Sequence, residues 1–185
     1  MNNSSLSKVE SAFFKISGVE KISTRMPYII TENFPTLGLL TSLRFLEWVS
    51  ENPEGVVSLP TGKTPEYFIK YTHYLLQSWE KPETRMLMEK YGLGQMQKPN
   101  LSKLQFVQID EFYPISPEQH NSFYNYVSKY YIKGFGLDPS RALLINPDEI
   151  ELVDGKSYHD IFPDHEIDLS LRYRAAKNEE EGLKK

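Results

Sequence analysis

The chain has 185 residues, 39% of them hydrophobic and 25% charged, with a formal net charge of −4 at neutral pH. That balance is globular rather than disordered, and its mild acidity argues against nonspecific binding to nucleic acid or an anionic membrane. There is no cysteine, which excludes disulfides, thiolate zinc, iron–sulfur clusters and thiol nucleophiles. No stretch approaches the roughly 18 uninterrupted apolar residues of a spanning helix, and the polar start Met1–Ser17 lacks the apolar core of a secretory signal. A soluble, cytoplasmic protein is expected.

Residues 1–35 read as an arm or peripheral helix followed by a short strand, Pro27–Ile30. Phe34-Pro35-Thr36 interrupts, with Thr36 as a possible N-cap. Leu39, Leu43, Leu46 and Val49 then recur at spacings of four, three and three, one apolar face of a helix. Asn52-Pro53-Glu54-Gly55 is a turn, and Val56–Leu59 a short strand. The polar loop Pro60–Pro65 leads into a helix over Glu66–Trp79, with Phe68, Tyr71 and Leu75 on one side and Pro65 suited to its first position.

Residues 80–100 carry two prolines and two glycines and read as an insertion holding one short helix. Leu104–Ile109 is a strand ending in Asp110-Glu111. After the loop around Pro114 and Pro117, Asn121 is expected to cap a helix with Phe123, Val127 and Tyr130 buried, ended by Gly134 and Gly136. Ala142–Ile145 is a fourth strand. The alternation of strand and helix predicts an α/β domain over 36–149, a Rossmann-like, mainly parallel sheet with helices on both faces. Such sheets take ligands beyond the carboxyl ends of their strands. Residues 150–185 form an acidic loop and a charged helical tail. With an edge left open and no closing element, the chain is expected to be the N-terminal portion of a longer fold.

Four places could carry chemistry. Thr61-Gly62-Lys63-Thr64 combines a flexible glycine, two hydroxyls and a cation before a helix N-terminus, which suits a phosphate. A nucleotide P-loop would need glycine five positions before Gly62, where Val57 stands. Asp110 and Glu111 at a strand end could supply a general base or bind a cation, or could merely cap a turn and face solvent. His120 could reach a ligand over the same edge, or could be a surface residue at a helix start. His159-Asp160 with Asp164-His165 could hold a metal, although Pro163 and the acidic surroundings favour a solvated connection.

The segment Val57–Pro65 (VSLPTGKTP) resembles the phosphate loop of the glucosamine-6-phosphate deaminase / 6-phosphogluconolactonase family. Gln108–Tyr113 (QIDEFY), with Pro117–Tyr124 (PEQHNSFY), resembles that family's second block, an Asp-Glu-aromatic turn followed by a proline-containing loop and an aromatic helix. The resemblance covers roughly residues 36–146. It implies that Thr61, Gly62, Lys63 and Thr64 hold the phosphate of a phosphorylated amino sugar. Asp110 would move a proton between C1 and C2 of the opened sugar, giving fructose 6-phosphate and ammonia without metal or organic cofactor. Glu111 and His120 belong to the same neighbourhood. Neither nucleic acid nor a membrane is an expected partner, and assembly into a homo-oligomer is allowed. The alternatives are a lactonase-like hydrolase using the same phosphate loop, a phosphosugar-binding module without catalysis, and a nucleotide enzyme. Lys63 replaces the small residue usual in the family, and the family's third block, a glycine-rich Asp-Gly-His segment, is missing from the sequence.

Overall fold

A computed structural model describes residues 6–19, 28–150, 153–156 and 160. The N-terminal arm is helical. Helix α1 (Lys8–Ser17) opens with a capping box in which Ser7 Oγ accepts the Glu10 N–H and the Glu10 carboxylate accepts the Ser7 N–H. It stops at Gly18, whose φ of 67° is the left-handed conformation glycine adopts without penalty. Val9 and Phe13 bury one side of α1. Helix α2 (Phe34–Glu51) reaches it with Glu47, whose buried carboxylate accepts the Lys8 N–H at 2.9 Å and thereby satisfies a first-turn donor.

Two expectations about this region need correcting. Tyr28–Ile30 forms no strand; Pro27 lies outside the described residues. A strand draws its hydrogen bonds from a neighbour, and Ile29 instead packs its side chain on the helical core. The cap of α2 is Asn33, not Thr36. With Pro35 in the first turn, the first backbone donor within reach is the Thr36 N–H, which Asn33 Oδ1 accepts at 2.9 Å.

Leu43, Leu46 and Val49 of α2 are fully buried, as their spacing predicts. Helix α3 (Glu66–Gln77) packs across α2 at very short range, because the contact is built from small residues. Gly38 lies against the backbone and Cβ of Tyr67, leaving no room for a side chain. Ser42 Oγ donates to Phe68 O at 2.8 Å, and Thr72 Oγ1 donates to Ser42 at 3.1 Å. These hydroxyls are buried but partnered, which removes most of the cost of burying them.

The sheet has three short parallel strands in the order β1 (Val56–Val57), β2 (Gln105–Val107), β3 (Ala142–Leu143). Val57 pairs with Phe106, and Phe106 with Ala142. Both crossovers step the same way across the sheet, so right-handed connections lay their helices on the same face, whereas helices on both faces were expected. On that face Val57, Phe106 and Ala142 meet the core. The alternate residues Val56 and Leu143 point the other way and are 59% and 69% exposed. Residues 80–100 contain one short helix, α4 (Pro82–Lys90), as expected, and Arg85 ties the segment down by donating to the Met96 and Gly94 carbonyls.

Helix α5 (Phe123–Val127) passes into a π-helical turn, Ser128–Lys133, and the helix continues through Phe135. Gly136, at φ 74°, is its stop. Gly134 is not a terminator. A Cβ there would fall on the imidazole of His73, whose Nε2 lies 3.1 Å from the Tyr130 carbonyl and must donate to it. Gly134 is therefore a seat for the α3 ring. Alanine normally favours a helix over glycine by about 1 kcal/mol, so the sign of one substitution is informative. Gly134→Ala should lower stability by about 1–3 kcal/mol, the range for overpacking, read as a lower urea midpoint with unchanged slope; a midpoint that rises would contradict this packing.

Candidate functional site

The site begins with strand pairing. Because β1 and β2 are parallel and in register, the loops that follow them leave from the same edge of the sheet. Ser58 Oγ, just past β1, donates to the Val107 carbonyl at 2.6 Å and ties the two strand ends together. Thr61–Thr64 lie in the loop after β1, and Asp110 and Glu111 in the loop after β2.

In the first loop Gly62 has φ 86°, left-handed and surrounded by open space. The Lys63 carbonyl accepts the Glu66 N–H at 3.2 Å, but the N–H groups of Thr61, Gly62, Lys63 and Thr64 donate to no described residue. A run of unengaged amides around a left-handed residue suits an anion. Lys63 is exposed beside them. Glu66, the nearest acid along the chain, is occupied: Lys70, bonded to it at 2.5 Å, pulls its carboxyl below the ordinary range, with a smaller contribution from Lys63.

The loop is held from the helix side by two tyrosines, Tyr126 and Tyr131. Tyr131 OH donates to the Pro60 carbonyl at 2.5 Å, and Tyr126 OH to the Gly62 carbonyl at 2.8 Å. Tyr131 is fully buried, its ring against Phe106 and Phe135. Burial pushes the Tyr131 hydroxyl far above its ordinary pKa. It pushes Tyr126 up to about 12, with help from neighbouring Tyr130 and Glu66.

The second loop separates its two acids. Asp110 stands exposed at the strand tip, its backbone carbonyl held at 2.9 Å by Gln108 Nε2. Gln108 is buried and its Oε1 accepts the Ile145 N–H at 3.0 Å, so it pins the Asp110 turn to the end of β3. Glu111 is fully engaged as a structural acceptor. Its two oxygens take the N–H groups of Phe112, Phe123 and Tyr124 and the hydroxyl of Ser122 at 2.6–2.9 Å. A carboxylate there complements the positive end of α5. This corrects the solvated reading of Glu111, and with it the cap: Ser122, not Asn121, accepts the Asn125 N–H. The hydroxyl that also bonds Glu111 wins over its neighbour. His120 lies in the turn before α5, exposed to solvent.

Among the described residues no three acidic or histidine side chains gather for a metal; His159, Asp164 and His165 lie outside them. Nor is any helix among them long and apolar enough to cross a membrane. Ser58, Gln108, Tyr126 and Tyr131 are the positioning groups the sequence did not disclose. A spacing of five is not an α-helical face, so the residues alone offered no reason to pair the two tyrosines.

No family model matches the sequence, and no curated protein does. The fold is similar to a solved structure described as a monomeric glucosamine-6-phosphate deaminase and a missing link of the NagB superfamily. The TM-score is 0.54 at 18% identity, over 75% of this chain and 51% of the other. The chain thus spans about half the length of that protein. At this identity the likeness establishes the α/β fold.

Two measurements check the site's construction. Glu111→Gln should lower stability by about 1.5–3 kcal/mol, the scale of hydrogen bonds to a charged group, in urea unfolding at neutral pH; an unchanged midpoint would mean the cap is unimportant. Tyr126 has a folded pKa of about 12 against an ordinary 10.0, so its contribution to stability is complete below pH 10 and is lost as pH rises to about 12. The fall in stability across that window should be shallower in Tyr126→Phe than in the wild type.

Proposed function

We propose that this chain carries the phosphate-binding and proton-transfer part of a sugar-phosphate isomerase/deaminase, acting on glucosamine 6-phosphate to give fructose 6-phosphate and ammonia. The observation that supports it most is one juxtaposition. A loop with four unengaged N–H groups and an exposed aspartate follow two neighbouring strands that are paired in register.

The chemistry follows from that placement. Thr61–Thr64 take the 6-phosphate through backbone amides, hydroxyls and Lys63, which fixes the far end of the opened sugar. Asp110 removes the C2 proton, made acidic by the C1 carbonyl, and an enol forms. The proton is returned to C1, leaving an imine at C2. Water adds there and ammonia leaves, so that glucosamine 6-phosphate and water balance fructose 6-phosphate and ammonia. Glu111 has no part in proton transfer under this reading, because α5 holds it as an acceptor. A binding module would share the loop and leave Asp110 idle, and a lactonase would use the loop to present an ester to water.

The readings separate in deuterium oxide. With the 185-residue chain and glucosamine 6-phosphate, proton NMR should show loss of the C2 signal with ammonia release. Asp110→Asn should slow that exchange by about 10²–10⁴-fold, the range for a general base, while leaving affinity for the sugar phosphate nearly unchanged. Lys63→Ala should instead weaken affinity by about tenfold. Binding without exchange in the wild type would leave the module, and absence of binding would remove the whole reading.

A further inference from the structure

We infer that Tyr126 and Tyr131 are positioning residues for the anion loop, their hydroxyls drawing the Pro60 and Gly62 carbonyls down onto the helix and so turning the Thr61 and Lys63 amides outward. The inference rests on the reading of that loop as a phosphate site and adds the device that aims it. In a trans peptide unit the C=O and the following N–H point in opposite directions. Both relevant peptide bonds are trans, the described cis bond being Tyr113–Pro114. Fixing the carbonyl of residue 60 from one side therefore fixes the amide of residue 61 toward the other, and likewise for 62 and 63. Gly62, left-handed between the two anchored carbonyls, lets the chain reverse so that both can face the same helix.

The π-helical turn explains how one helix supplies both donors. Five residues cover about 1.4 turns of an α-helix, so positions 126 and 131 of a regular helix would lie on nearly opposite sides. A π turn bonds i to i+5 and brings residues five apart back toward one face. Here Ser128–Lys133 is that turn, and the rings of Tyr126 and Tyr131 lie 6.1 Å apart, edge to face, beneath the loop. Tyr131 is rigid by burial, and Tyr126 is braced by Tyr130 at 4.7 Å. The wide turn has a further partner in His73, whose Nε2–H donates to the Tyr130 carbonyl.

Removing only the hydroxyls tests this, with Tyr126→Phe, Tyr131→Phe and the double variant, and Tyr74→Phe on an exposed part of α3 as control. Two readouts are needed. Without ligand, limited trypsin digestion after Lys63 should speed up several-fold in the double variant relative to digestion after Lys103, a selectivity that general destabilisation would not produce. With inorganic phosphate and glucosamine 6-phosphate as probes, dissociation constants should rise about fivefold to tenfold per hydroxyl lost, and not at all in the control. Unselective digestion overturns the inference whatever the binding result. Selective digestion with unaltered affinities overturns it as well, because the amides would then not need aiming. If digestion is selective but the wild type binds neither probe, the tyrosines do position the loop and the proposed function is what fails.

Discussion

Parallel pairing of β1 with β2 is the constraint from which the rest of the molecule takes its meaning. Two parallel strands must discharge their loops on the same edge, and the register of Val57 against Phe106 sets those exits level. Ser58 closes the gap between the strand ends. The short strands supply little stabilisation themselves. Phe106, sandwiched between the helical core and its neighbours, is what makes their alignment expensive to lose.

Around that edge, the chain divides its acids between two jobs. Asp110 and Glu111 are adjacent in sequence and could exchange roles on paper. The loop leaves one exposed and turns the other to the start of α5, where the N–H groups of Phe123 and Tyr124 and the Ser122 hydroxyl meet it beside the N–H of Phe112. Both Glu111 oxygens are engaged by donors of the α5 start, whereas the Asp110 side chain is exposed at the strand tip. Buried Gln108 serves as the hinge pin between them, reaching both the Asp110 carbonyl and the end of β3.

Much of this was legible in the residues. The α2 stripe Leu43, Leu46 and Val49 is buried as its period requires, and the alternation of strands and helices predicted a parallel sheet, of which three of the four expected strands form among the described residues. Both loops were placed at strand exits correctly. What failed was decided by competition among near neighbours or by distant contacts. Asn33 rather than Thr36, and Ser122 rather than Asn121, cap their helices because of which N–H is free and which hydroxyl finds a second partner. Gly134 read as a stop because its real reason, the His73 ring, comes from another helix. The function of Glu111 depends on a helix beginning well downstream. The π turn has no compositional mark, so the alliance of Tyr126 and Tyr131 could not be foreseen.

That wide turn also gives α5 a slack of one residue. Ser128–Lys133 accommodates about one more residue per turn than its flanks do. Deleting one residue there would let the turn relax to ordinary α geometry, with Gly134 and Phe135 keeping their facing and the two phenols falling about one turn apart on a single side. A deletion elsewhere in the helix, with no wide turn to absorb it, would swing everything after it by about 100°. The stretch is thus the one place in α5 where chain length can change at little cost, and the alignment of the phenols is a property of the count of residues as much as of their kind.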